Sequence, residues 1–444
     1  VSNVVSKTTT KLTAVVENLR GRAHWSVVHG LPRVMITRMA DKGDLQAKLV
    51  LSTSRGDDDL WDLVEEMRAQ GPLFKSGMAF LTADHATVRE VLTSNDFRTG
   101  IPGRTGVVGT IGQALAPHAL HPVEPPSLLV TEPPDHTRYR KQVMRVFTMR
   151  AVQRLEARTQ QIANDLLDQL EAANEVDLVE RYCALLPVTV IAEILGVPEN
   201  ERSRVLEFGT AAAPSLDMGL DYRTYREVTD ALISFDGWLG EHLESLRRNP
   251  GDNLLSQLVA LDDGEDGGLS EMELRSTAGL VLAAGFETTV NLLSNGIRLL
   301  HDHPEQLARL KADPELWGNA VEEVLRLDPP VLLTGRMAQA DTTIAGVPMR
   351  SGALVTTLLA GANRDPKVFT DPDVFDVTRE NARDHLSFSL GRHHCLGATL
   401  ARMEGEIGLR TLFERHPELE LLPGATRRTT RILRGFETLP ARLS

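Results

Sequence analysis

The sequence predicts a mainly α-helical chain with a small β region, folded as one large domain, and three observations support that reading. Apolar residues recur three and four apart through long stretches of the chain. Short alternating or β-branched pieces are confined to its last third. After residue 60 no Gly/Ser linker, repeat or break in composition divides it. The 444 residues are 42% hydrophobic, 25% charged and 5% aromatic, enough for a core and unlike disordered, collagen-like or coiled-coil chains.

In chain order, residues 1–54 read as a partly basic N-terminal extension and 55–444 as the single domain. The first 48 residues hold Lys7, Lys11, Arg20, Arg22, Arg33, Arg38, Lys42 and Lys48 against Glu17, Asp41 and Asp44. This composition suggests a solvated tail, with loose contact to an anionic surface as the alternative. Residues 97–130, rich in Gly, Pro and His, lack a helical period and read as a mobile functional loop. Residues 151–173, 223–247, 270–302, 314–327 and 396–415 read as helices, and 342–348 and 353–359 as strands of a small sheet.

The formal net charge of −13 argues against nucleic acid as the main partner. No membrane anchor is expected, because the apolar run 278–285 is too short and 184–195 is interrupted by Pro187 and Glu193; no signal-peptide core opens the chain. Two cysteines, Cys183 and Cys395, supply no disulfide framework, and a reducing cytoplasm is the expected compartment.

Cys395 lies in Phe388-Ser-Leu-Gly391-Arg392-His393-His394-Cys395-Leu-Gly397, directly before a helical pattern. The helix dipole and backbone N–H groups at such a place favour a thiolate, as a metal-ligating sulfur requires. Glycines at 391 and 397 allow a flat cofactor or the backbone close approach. A nucleophilic Cys is disfavoured because adjacent histidines rarely face the thiol as base, and zinc lacks a second cysteine or a spaced His pair. Cys183, inside an apolar pattern, reads as inert core.

A second concentration of chemistry lies upstream. Ser270 and Glu273 form a capping box, opening a helix that runs to His303-Pro304. Its middle, 278–285, is apolar on every face, yet Glu287-Thr288-Thr289 follows at once. A buried acid and hydroxyls carry a desolvation penalty unless partnered or at work. Thr288 can bond back to the carbonyl four residues earlier; alternatively, with Gly285 loosening the ladder, acid and alcohol hold water beside a ligand.

Phe388-x-x-Gly391-x-His393-x-Cys395-x-Gly397 resembles the haem-binding signature of the cytochrome P450 family, and Ala284-Gly285-Phe286-Glu287-Thr288-Thr289 is similar to its oxygen-activation motif. The resemblance spans nearly everything after residue 55. It implies the cytochrome P450 fold, with haem b between a long central helix and the Cys-bearing loop, and Cys395 as the proximal thiolate ligand of the iron. Thr288 would hydrogen-bond the oxygen ligand and Glu287 feed it protons. Glu323 and Arg326, with Arg379, resemble the family's Glu-x-x-Arg framework, which holds the cysteine loop. His136, Arg140, Arg336 and His393 match positions that bind the haem propionates; Ala284, Gly285, Phe388, Gly391 and Gly397 complete the cofactor set. Leu280, Ala283, Ala284, Leu332, Leu333, Thr334 and Phe436 match positions lining a substrate pocket. Arg138, Lys141, Arg145 and Arg392 would form a docking face for an acidic electron-transfer protein.

Two features depart from the family pattern: Ser389 replaces a usual glycine, and the N-terminal extension is longer than in common bacterial members. The expected activity is monooxygenation of an apolar small molecule (a lipid, terpenoid, sterol or polyketide-like compound) using O2 and electrons from ferredoxin and ferredoxin reductase. The competing reading is a haem-thiolate ligand or redox sensor, or a lipid carrier. Neither has use for the Glu287–Thr288 pair.

Overall fold

The computed structural model describes residues 17–56, 59–100, 106–117, 119–146, 149–171, 174–260 and 268–443. Its principal helices are α1 (Leu31–Asp41), α2 (Gly106–Leu115), α3 (Asp135–Val146), α4 (Met149–Asp168), α5 (Leu185–Ile194), α6 (Arg202–Ala212), α7 (Tyr222–Arg248), α8 (Glu271–Asp302), α9 (Trp317–Leu327) and α10 (Ala398–Arg415). The helix expected from residue 270 is therefore present as α8, 32 residues long, so it spans about 48 Å. Both reciprocal bonds of its capping box form, Ser270 N–H to Glu273 Oε2 (2.8 Å) and Glu273 N–H to Ser270 Oγ (3.4 Å). The main core gathers around α8, with α5, α7, α9 and α10 packed on it and α4 on α10.

A five-stranded sheet stands apart from this helical body. Its strands β1 (Phe74–Lys75), β2 (Phe80–Thr82), β3 (Phe97–Thr99), β4 (Leu333–Ala338) and β5 (Leu354–Leu358) lie in the order β1-β2-β5-β4-β3. Only the β2–β5 pairing is parallel. The strand expected at 353–359 is thus present, but the piece at 342–348 is a hairpin rather than one strand. Thr342–Ile344 pairs with Val347–Met349, and Ala345 (φ 48°) and Gly346 (φ 78°) turn the chain between them. A late hairpin, β6 (Thr426–Arg427) and β7 (Phe436–Thr438), closes over α8.

Two expectations are corrected. The stretch 97–130 is not devoid of regular structure: it contains β3 and α2. Glycines 106, 109 and 112 hid the helical period, and one of them serves packing, because a Cβ at Gly112 would sit 3.2 Å from Val28. Residues 17 onward are not a solvated tail. Residues 17–25 are helical and continue through a π-helical turn, Ser26–Gly30, into α1. Arg20 donates to the carbonyls of Ala114, Leu115 and Ala116, and Trp25 Nε1 donates to Leu220 O at 2.9 Å.

The Glu-x-x-Arg framework is fully buried. Arg326 grips Glu323 through two parallel bonds (Nε to Oε2 2.7 Å, Nη2 to Oε1 2.8 Å), and Arg379 Nε adds a third at 3.0 Å. Neither Glu323 nor Arg326 has exposed side-chain surface. The remaining guanidinium protons go to carbonyls of Asn363, Thr370, Asp371, Pro372 and Val374, binding the chain that precedes the cysteine loop. Removing one partner strands a buried charge. Glu323→Ala is expected to cost about 3–5 kcal/mol in chemical denaturation, whereas Arg309→Ala, at a half-exposed pair with Asp376, should stay within about 1 kcal/mol.

Candidate cofactor and substrate site

The cysteine loop is shaped by two left-handed residues. Gly391 has φ 69°, and a Cβ there would lie 2.6 Å from the Leu92 carbonyl, so only glycine fits. Ser389 adopts φ 57°, which accounts for the glycine usual at its position. The Phe388 carbonyl accepts the Cys395 N–H at 2.9 Å, and Arg402 covers the Phe388 ring at 4.5 Å. Around Gly397 no heavy atom lies within 4 Å of a would-be Cβ. The Cys395 side chain is accessible, whereas Cys183 is fully buried. Its low-dielectric surroundings push the Cys395 thiol up, opposed by the Gly397 N–H and by Arg140 and Arg402. Burial, reinforced by the Asp177 charge, raises the Cys183 thiol far out of the reactive range, as expected of inert core.

A cationic cluster neighbours this loop. His136 and Arg140 stand one turn apart on α3, and the His136 and His393 rings lie 4.4 Å apart. Arg336, on β4, is 5% exposed and, among the described residues, donates to the Thr334 hydroxyl, the Gly335 carbonyl and, at 3.4 Å, the Ser389 hydroxyl. Neither Arg140 nor Arg336 has a carboxylate within ion-pairing distance among the described residues. Burial lowers Arg336 to about 10, and burial with the charges of His393 and Arg140 lowers His136 to about 4. Among the described residues Glu132 is the one carboxylate in contact: it receives the Thr99 N–H (2.6 Å), His393 (3.3 Å) and Arg392 (3.2 Å). Despite its burial, His393 and Thr99 hold it at about 2. One carboxylate among five cationic or protonatable groups leaves positive charge uncompensated, so the cluster suits a dianionic ligand held near the thiol.

The middle of α8 has a bare face. Leu282, Phe286, Glu287, Thr289 and Val290 are buried, but Ala284 is exposed and Leu280, Val281, Ala283, Gly285 and Thr288 are partly so. Residues 280, 284 and 288 form one stripe. Thr288 Oγ1 donates to the Ala284 carbonyl at 3.1 Å, the local bond anticipated for it. Glu287 does not face its neighbour: it pairs with Arg428, whose Nε also donates to the Phe436 carbonyl. Burial pushes the Glu287 carboxyl up and Arg428 pulls it down. Gly285 serves packing instead of loosening the ladder, since a Cβ there would lie 2.9 Å from Ile191 on α5.

Other expected residues divide. Leu333 and Thr334 are partly exposed on β4. Leu332 is buried in a cluster with Leu49, Leu60, Met67 and Leu81, and Phe436 in the main core beneath Arg427 at 3.9 Å. Packing occupies both side chains, so neither presents a lining surface. The docking face is also reduced. Arg138 is spent on Glu273 (2.7 Å), Asp135 and the Gly268 carbonyl, and Arg392 on Glu132 and Asn95. Lys141 and Arg145 have internal interactions as well.

Sequence reasoning overlooked the β6–β7 hairpin. Arg427, Arg428, Arg431 and Arg434 fall within eight residues of an acidic chain, a signal that went unread. Asp328, at the end of α9, takes Arg427 Nη2 (2.8 Å) and Arg434 Nε (2.7 Å), while Asn295 of α8 bonds Arg427 and the Arg434 carbonyl. Asp217, between α6 and α7, accepts the N–H groups of Arg431 (3.0 Å) and Ile432 (3.2 Å). The Ile432 carbonyl receives Leu332 N–H at 2.9 Å. Two carboxylates and one amide therefore pin the hairpin that supplies the counter-ion of Glu287.

The family profile described as cytochrome P450 matches residues 212–441. Cytochrome P450 140 of Mycobacterium tuberculosis is 49% identical over 439 residues, covering 96% of this chain and 98% of the relative. The 6-deoxyerythronolide B hydroxylase of Saccharopolyspora erythraea is 42% identical over 317 residues, 70% of this chain and 77% of the relative. Among solved structures, P450BioI in complex with hexadec-9Z-enoic acid ligated acyl carrier protein superposes with a TM-score of 0.78 at 32% identity, covering 86% of this chain and 98% of that one.

The buried hairpin pair makes a pH prediction. Burial alone would raise Asp328, but Arg427 and Arg434 hold it at about 2, against 3.8 unpaired. Its stabilisation is thus present above pH 3.8 and lost as pH falls through about 2. Wild type should lose about 2 kcal/mol from this group across that window. Asp328→Asn should be less stable at neutral pH and show a shallower acid decline in urea melts; an unchanged acid slope would remove Asp328 from the account.

Proposed function

The chain belongs to the cytochrome P450 family of monooxygenases, and we propose that it is a haem-thiolate enzyme that inserts one atom of O2 into an apolar small molecule. The observation that carries the assignment is the pairing of an accessible Cys395 thiol with a buried cationic cluster short of anions. These residues fit haem b: Cys395 would ligate its iron, and His136, Arg140, Arg336 and His393 would meet its two propionates. When bound, haem would supply the redox-active iron needed to activate O2, with two electrons, for insertion into an unactivated C–H bond. One oxygen atom enters the substrate and the other leaves as water, which requires two protons.

The chain's own residues govern those protons. Thr288 Oγ1 would give up its bond to the Ala284 carbonyl and donate toward the oxygen being reduced. Glu287, released from Arg428, holds a proton readily because it is buried, and passes it toward Thr288. Such a relay serves an oxygenase and is idle in a sensor or carrier. Leu280, Ala283, Ala284, Leu333 and Thr334 offer the substrate an apolar surface. The names of the relatives, a 6-deoxyerythronolide B hydroxylase and a protein solved with a fatty acyl carrier, support a large polyketide- or lipid-like molecule. Electrons come from ferredoxin and its reductase in the cytoplasm.

Reduced, CO-treated protein is expected to show the red-shifted Soret band of thiolate-ligated haem, and Cys395→His to move it to the histidine-haem position. A histidine-type band in wild type overturns the assignment. Thr288→Ala should retain haem and its rate of reduction, yet lower product formation on the order of a hundredfold and release peroxide instead. Unchanged coupling of electrons to product would dismiss the relay.

A further inference from the structure

The N-terminal helical segment presents an outward apolar face that the reaction does not use. Leu31, Val34 and Met35 on α1 are 54%, 47% and 52% exposed, and Leu19, on the helix before it, is 62% exposed. Positions 31, 34, 35 and 38 form one stripe of α1, while Ile36 on the opposite side is 2% exposed and anchors the helix inward. Arg38 lies in the same stripe, with Lys42 following at the helix end, and both are exposed. Charge is biased to match. The first 43 residues contain seven Lys/Arg and two acids, Glu17 and Asp41, in a chain of net charge −13.

The segment is also rigidly placed. Arg20 binds the last carbonyls of α2, Trp25 the Leu220 carbonyl, and His24 Nδ1 lies 2.9 Å from the Tyr225 hydroxyl. Arg22 covers the Tyr222 ring at 5.2 Å and Trp25 meets that ring edge-on at 5.4 Å. It therefore lies across α2 and the α6–α7 link, and that link in turn holds the hairpin tip beside Leu332.

We propose that this face of α1 seats the protein on an anionic phospholipid surface, placing the α2 and α6–α7 region against the bilayer. Leu31, Val34 and Met35 enter the headgroup boundary, and Arg38 and Lys42 meet lipid phosphates. The contact is interfacial: among the described residues no helix is long and apolar enough to cross a membrane. An acidic protein partner accounts for the cations but not for three apolar side chains flanking Arg38 on a convex helix face. The inference draws on the apolar-substrate reading for its purpose only, because lipid binding is measured without turnover.

The test is flotation of the full-length holoprotein with vesicles of phosphatidylcholine and phosphatidylglycerol in about equal parts, compared with phosphatidylcholine alone. Preferential binding to the anionic vesicles, released by about 0.5 M salt, is expected. Arg38→Glu and Lys42→Glu should each weaken binding about fivefold or more. Leu31→Ser with Met35→Ser should abolish it, with haem absorbance and thermal unfolding unchanged. The proposal is overturned if wild type fails to float, or floats equally well with Leu31→Ser and Met35→Ser. Concentration-dependent dimerisation abolished by the same pair, without vesicle binding, would assign the face to a second copy of the chain and likewise overturn it. Loss of oxygenase activity with vesicle binding intact would bear on the reaction and leave this contact standing.

Discussion

The buried carboxylate of Glu323, shared by Arg326 and Arg379, is the interaction on which the rest depends. Each guanidinium that pairs with it also binds carbonyls of the irregular chain between Asn363 and Val374. Extended chain without helix or sheet partners would otherwise bury unsatisfied carbonyls. By meeting them, the triad lets a long coil run through the interior and deliver the cysteine loop to the head of α10. The ion pairs themselves stabilise little once desolvation is counted; what they contribute is a defined path for the backbone.

Elsewhere charge is left deliberately unbalanced. Around Glu132 the cationic groups outnumber the acids, whereas at Asp328 two arginines meet one carboxylate with every contact made. The first arrangement carries an electrostatic cost that a bound dianion would relieve, which would link ligand retention to local stability. The second is complete within the chain and needs nothing added. Side-chain types in the two places are nearly the same; the number of cations that one carboxylate must serve, and whether each reaches it, separates the two arrangements.

What the sequence made legible was chemistry contiguous in the chain. The Cys395 loop, the Ser270 capping box and the i, i+3 spacing of Glu323 and Arg326 are each set within about ten residues, and each is found in the structure. Misreadings arose where a residue's partner lies far away. Arg138 looked like an available surface cation because Glu273 is distant in sequence, and the ion-pair partner of Glu287, Arg428, is more distant still. Gly285 and Gly112 have packing roles that no local pattern reveals, since the residues they admit, Ile191 and Val28, belong to other elements. Leu332 and Phe436 carry the apolar character of a pocket, yet packing claims them. The N-terminal helix was missed for the same reason: its docking residues, Arg20, His24 and Trp25, are ordinary until α2 and Tyr225 are set beside them.

The hairpin that bears Arg428 has a consequence for how such a protein diversifies. Through Asp217 it is joined to the α6–α7 link, through Leu332 to the start of β4, and through Arg428 to the acid in the central helix. A lineage, or an engineer, exchanging this hairpin would replace the counter-ion of Glu287 in the same stroke. The acid strength of a group in the central helix is thus set by a segment more than a hundred residues away, and changes in that segment reach the middle of α8 without touching α8 itself.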